Sequence, residues 1–207
     1  MNRLIGLVLA GMVWLGALGG WTLGPGASSA GASSGISTII DPVGDTNPQA
    51  ASYQDVTLGS LSKRGTSFQF VQQVAGPVPA APQLPSSVVL MSWCWGMDTN
   101  PATDPKGYPL APGTANPLEY LACVLWDGTT FSAELFDRTP LLTGGQAVVT
   151  PVPFTVSGQQ LSVSVDEGLM DKPSTFAWDT GTENRHSPIP SNGFQELDFA
   201  GDGTWPA

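Results

Sequence analysis

Residues 118–136 read LEYLACVLWDGTTFSAELF. The run 118–126 is built from Leu, Tyr, Val and Trp, residue types that suit a pleated surface with at least one buried face. The run 129–136 is similar. Asp127-Gly128 between them is the strongest short-range hairpin signal and predicts a two-residue type I′ turn that sets Trp126 opposite Thr129. One face of the hairpin then carries Trp126, Val124, Ala122 and Tyr120 opposite Thr129, Phe131, Ala133 and Leu135. That face is nearly all apolar and is predicted to be core. The other carries Leu125, Cys123, Leu121 and Glu119 opposite Thr130, Ser132, Glu134 and Phe136. It is mixed, and is expected to lean toward solvent.

The register extends to the preceding segment. Residues 86–97, SSVVLMSWCWGM, form a third β-rich run. Cys94 and Cys123 are the two cysteines of the chain, and an even pair in an oxidising compartment predicts a disulfide. Placed opposite each other on antiparallel strands, they set Met91 against Trp126, Trp93 against Val124 and Trp95 against Ala122. Trp93 and Trp95 therefore join the core face. The same register sets Asp98 beside Glu119. Like charges directly opposite are destabilising unless neutralised, which leaves two remedies: a bound cation, or water at a frayed strand end.

Further strands are expected at 53–61, 67–75, 146–156, 160–165 and 174–178. The segments 62–66, Ser157-Gly158 and Asp179-Thr180-Gly181 punctuate them as turns. A single helical turn is expected within 166–171, and the proline-rich stretch 78–85 reads as a stiff surface loop. Eight or nine short strands with little helix predict an all-β fold, an antiparallel β-sandwich of jelly-roll-like type. Residues 33–207 are read as one domain.

Composition narrows the function classes. The 207 residues include 7 Lys+Arg against 17 Asp+Glu, a formal net charge of −10. Nothing here would neutralise a phosphate backbone, so no nucleic-acid partner is expected. A hydrophobic content of 41% with only 12% charged residues argues against intrinsic disorder. The N-terminus reads as an address. Arg3 is followed by an uncharged apolar stretch over 4–24, and Ala30-Gly31-Ala32 fits the small-x-small pattern of signal-peptidase cleavage. Residues 1–32 are thus read as a signal peptide. The alternative is an uncleaved N-terminal anchor, because 4–24 is long enough to span a bilayer. Either reading puts the remainder outside the cytoplasm, secreted or held at the outer face of the membrane.

The chemistry candidates are acidic. Asp98, Asn100 and Asp104 lie in one loop, and with Glu119 they form a predicted calcium site, since calcium takes 6–8 hard oxygen ligands. The loop is not an EF-hand: Thr103 stands where the required Gly would be and Pro109 where the bidentate Glu would be. Two more acidic clusters open and close the domain: Asp41-Pro42-Val43-Gly44-Asp45 with Asp55, and the segment 198–203 with Asp198 and Asp202. Asp, Asn, Gly and Pro also form ordinary turns, which any β-protein needs.

These pieces carry a resemblance. Asp41 to Asp45, Asp98 to Asn100, Glu119-Tyr120 and Asp198 to Gly203 resemble the motifs of secreted bacterial β-sandwich domains of the DOMON type and of family 9 carbohydrate-binding modules. The resemblance implies a jelly-roll-like sandwich, often with structural calcium, and a ligand-binding or surface-display role. Gly201 and Asp104 depart from the family pattern, and the disulfide is not one of its hallmarks.

Carbohydrate binding calls for exposed aromatic rings, and Trp178 and Trp205, near turns and the terminus, are the candidates. His186, the only histidine, falls in a polar segment read as solvated. The G-x-S-x-G pattern at 31–35 lies in the leader linker, outside any strand-turn-helix context. The chain is therefore expected to be a non-catalytic binding module for a glycan or a cell-surface protein. The alternatives are a structural, surface-layer-associated protein and a small secreted hydrolase.

Overall fold

The structure is a computed structural model that describes residues 35–99, 108–111, 114–116, 118–187 and 194–206. The leader reading of 1–32, Asn100 and Asp104 lie outside the described residues. In chain order the strands are β1 (Ile36–Ile40), β2 (Val56–Arg64), β3 (Ser67–Val74), β4 (Val88–Asp98), β5 (Tyr108–Ala111), β6 (Thr114–Asn116) and β7 (Tyr120–Trp126). They continue as β8 (Phe131–Asp137), β9 (Val148–Pro151), β10 (Phe154–Ser157), β11 (Gln160–Asp166), β12 (Phe176–His186) and β13 (Phe194–Trp205). Short 3₁₀ turns occupy Ser52–Gln54, Thr139–Thr143 and Glu167–Met170.

Two antiparallel sheets make a sandwich. One has the order β1-β2-β3-β11-β10 and the other β13-β12-β4-β7-β8-β9; β5 and β6 form a separate hairpin. The expected all-β sandwich is therefore present, with more strands than the eight or nine read from the sequence. Part of the excess arises within 146–156. There Val152-Pro153 divides an expected single strand into β9 on one sheet and β10 on the other. Proline has no N–H to give a ladder, so a strand changing sheets tolerates it.

The disulfide register is as expected. Cys94 faces Cys123 and the two are bonded; Met91 faces Trp126, Trp93 faces Val124 and Trp95 faces Ala122. Trp93 and Trp95 are fully buried between the sheets with Phe68, Phe70, Leu135 and Val163. The hairpin of β7 and β8 differs from the reading. Trp126 pairs with Phe131, not Thr129, so the loop has four residues, Asp127 to Thr130. Asp127 Oδ1 accepts the backbone N–H groups of Thr129 at 2.7 Å and Thr130 at 2.8 Å, and this cap stabilises the wider loop. The slip is two residues, so every side chain keeps its face.

Three further expectations are corrected. The second face of the hairpin leans to solvent only along β8, where Ser132 is exposed and Glu134 half-buried; on β7, Leu121, Cys123 and Leu125 form a small buried cluster with Cys94 and Phe136, and Leu90 and Val149 pack against it. Asp179-Thr180-Gly181 is not a turn but the interior of β12, paired on both sides. The surroundings of His186 are likewise strand, because β12 runs to His186 and Glu183 is buried.

Candidate metal centre

Two groups of carboxylates stand out, one on each flank of β12. The first contains the expected pair. Asp98 and Glu119 are both buried, and Glu119 is only 1% exposed. Glu119 Oε2 accepts hydrogen bonds from the Thr99 backbone at 2.6 Å and from its hydroxyl at 3.2 Å. Continuing the β7–β8 register by one residue brings Arg138 beside Glu119, and the Arg138 N–H donates to the Glu119 carbonyl at 2.8 Å. Arg138 is itself 2% exposed. Burial pulls its guanidinium down to about 10, while the charges of Glu183 and Asp179 on β12 hold it up.

Asp179 sits over Gly96. A Cβ at that glycine would lie 2.4 Å from a Leu118 methyl and 2.5 Å from Asp179 Oδ1, so only Gly fits there. Asp179 Oδ1 accepts the Gly96 N–H at 3.0 Å, and Ser92 Oγ donates to Glu183 Oε1 at 3.3 Å. The protein thus places a cation of its own, Arg138, in this acidic group. Sequence reasoning missed Arg138 because the two-residue slip set Glu119 opposite Phe136 instead. The Asp-Gly-Thr-Thr loop was the signal that could have found it: an Asp side chain followed by two residues whose N–H groups it can cap favours a longer loop.

The second group joins both ends of the domain. Asp41 follows directly on β1, and its N–H donates to the Thr57 carbonyl of β2 at 3.2 Å. The segment Pro42-Val43-Gly44 turns the chain back, with Gly44 at a φ of +86°, where a side chain would be strained. The turn returns Asp45 toward Asp41. Asp55 stands immediately before β2, and its Oδ2 accepts the Gly44 N–H at 3.0 Å. Asp198 comes from β13. Its carboxylate accepts the N–H groups of Val56 and, at 3.1 Å, Phe199. One oxygen from each of Asp41, Asp45 and Asp198 lies within 4.8 Å of the others.

The electrostatics of this group are unbalanced. No Lys or Arg among the described residues is paired with any of the four aspartates. Asp41 Oδ2 and Asp55 Oδ1 are buried and accept no hydrogen bond among the described residues, and Asp55 as a whole is 7% exposed. Burial raises the Asp198 carboxyl to about 7; the Val56 N–H opposes this, and the charges of Asp41, Asp45 and Asp55 add to it. Burial likewise raises Asp41 to about 6, with Asp45 and Asp55 contributing. Carboxylates crowded in this way take up protons or a cation. The donors are all hard oxygens, without His or Cys, a set that suits calcium and not zinc.

The two tryptophans expected to be exposed are not. Trp178 is 1% exposed and its indole N–H donates to Ser37 Oγ at 3.0 Å; Trp205 is 8% exposed and packs edge-on against Phe68 at 5.8 Å. Both lie on long strands, where alternate residues face the core, and not in turns. No protein-family model and no curated protein matches this chain.

Proposed function

We propose that this chain is an exported β-sandwich binding module clamped by calcium at Asp41, Asp45, Asp55 and Asp198. The observation that carries the proposal is the convergence of the Asp41, Asp45 and Asp198 carboxylates with the charge of Asp55 acting on them, buried unpartnered oxygens on Asp41 and Asp55, and no basic side chain paired with any of the four among the described residues. The ion would join the end of β1, the start of β2 and β13. These strands belong to different sheets, and β13 contacts both β1 and β2. Calcium therefore closes one side of the sandwich, tying the N-terminal strand to the C-terminal one. Carboxylates that repel one another in the metal-free protein become ligands in the loaded one.

The apolar leader and the disulfide support an extracytoplasmic setting, where millimolar calcium is a normal component and weak extracellular sites fill. The work assigned to the module is binding a glycan or a cell-surface partner. A structural role in assembly is the second reading. It is favoured by Ile36, Ile40 and Val43, which stand exposed along β1 and the turn after it.

The test is a melt of the purified protein in calcium and in EDTA, repeated with Asp41→Asn. Calcium should raise the melting temperature of the wild type and not that of the variant. Identical melts of the wild type in both buffers would remove the proposal.

A further inference from the structure

The only histidine sits against a strained serine. Ser87 Oγ and His186 Nδ1 are 2.9 Å apart. Ser87 precedes β4 and has a φ of +69°, in the left-handed region that a non-glycine residue seldom occupies. His186 ends β12, and the register with β4 breaks there: Arg185 faces Leu90, but His186 faces Val88. Val89 of β4 is thus the extra residue, and such a bulge bends the strand that carries it, here just after Ser87. The Ser187 N–H donates to the Ser87 carbonyl at 2.7 Å, which holds the two strand ends together beside the contact. Strain at the serine, an extra residue in β4 two positions after it and a backbone bond joining the two strand ends converge on one contact. Backbone strain in a folded chain concentrates where the conformation is used.

From this geometry we propose that Ser87 and His186 form a nucleophile–base pair that cleaves small, accessible acyl esters. With the imidazole proton on Nε2, Nδ1 accepts the Ser87 hydroxyl proton. Oγ attacks the ester carbonyl carbon as that proton passes to Nδ1, and the carbonyl π pair moves onto oxygen. Collapse of this intermediate re-forms the carbonyl and breaks the bond to the alcohol oxygen. The departing alcohol takes the proton from Nδ1 and leaves an acyl group on Ser87. Water then attacks the acyl carbon, giving its proton to Nδ1, and Ser87 Oγ departs and recovers that proton. Ser87 is exposed and His186 half-exposed at the ends of two strands, so the fitting substrate presents its ester openly, as an O-acetyl group does. The site shares no residue with the aspartate cluster and stands whether or not calcium binds.

The probes are p-nitrophenyl acetate and a fluorophosphonate, applied to the purified exported chain with Ser87→Gly and His186→Gln beside it. Glycine accepts the φ at position 87, so Ser87→Gly remains folded while losing the nucleophile. The wild type should hydrolyse the ester about 100-fold faster than either variant, the scale typical of a positioned base. The fluorophosphonate should label Ser87 alone. A bare imidazole can also attack this ester, so wild-type activity retained in Ser87→Gly would overturn the proposal. Equal rates in all three proteins, or a label on another residue, would overturn it too.

Discussion

The two acidic groups beside β12 solve the same problem in opposite ways. On the outer face of the six-stranded sheet, Asp98, Glu119, Asp179 and Glu183 are buried together with Arg138, so the counter-charge comes from the chain. Where β1 meets β13, Asp41, Asp45 and Asp198 converge, with the charge of Asp55 acting on Asp41 and Asp198, and no basic side chain is paired to the four among the described residues. The first group gains a fixed geometry, and it is complete once the chain has folded. The second stays responsive to solution, because its counter-charge must come from outside as protons or a cation. Acidity alone does not mark a metal site; the discriminating feature is whether the fold also delivers a guanidinium.

The contrast can be broken most forcefully at Arg138. Arg138→Met should leave buried acids without their cation and cost about 3–5 kcal/mol. In a chain of this size that is a fall of roughly 10 °C in melting temperature. Added calcium should not restore it; a variant that melts with the wild type would show that the outer group does not depend on its arginine. Reduction of Cys94–Cys123, which lies among the same outer-face residues, should cost about 2–4 kcal/mol in a urea titration. Calcium removal comes next. At a concentration a hundredfold above its dissociation constant the ion contributes about 2.7 kcal/mol, and differential scanning calorimetry with and without EDTA reads that loss directly.

A pH dependence follows from the same group. Asp198 and Asp41 have folded pKa values of about 7 and about 6, above the ordinary carboxylate value of 3.8. The metal-free native state therefore holds more protons than the unfolded chain between about pH 4 and pH 7, and its stability falls as pH rises through that window. Melts of the EDTA-treated protein should shift to lower temperature from pH 5 to pH 7.5. Asp41→Asn together with Asp198→Asn should flatten the trend.

Much of the sandwich was legible because a disulfide and a β-period both restrict register. Cys94 and Cys123 placed Met91, Trp93 and Trp95 correctly, and an even slip in the next hairpin left the faces unchanged. The same slip hid Arg138, since a face tolerates a shift of two but a row does not. Asp179 and Trp178 were misplaced for a different reason. Turn-forming residues such as Asp179-Thr180-Gly181 mark a break only where no neighbour supplies a ladder, and β12 has β4 on one side and β13 on the other. The four-aspartate cluster could be seen only as two separate motifs. Bringing Asp198 to Asp41 required β1 of one sheet to pack against β13 of the other, a long-range fact that local pattern does not carry.

The most direct measurement is isothermal titration of calcium into the metal-free protein, with Asp198→Asn and Asp98→Asn in parallel. One ion per chain should bind to the wild type and to Asp98→Asn, and none to Asp198→Asn. No binding to the wild type, or binding that survives at Asp198→Asn and disappears at Asp98→Asn, would contradict the assignment of the cation to the β1–β13 edge.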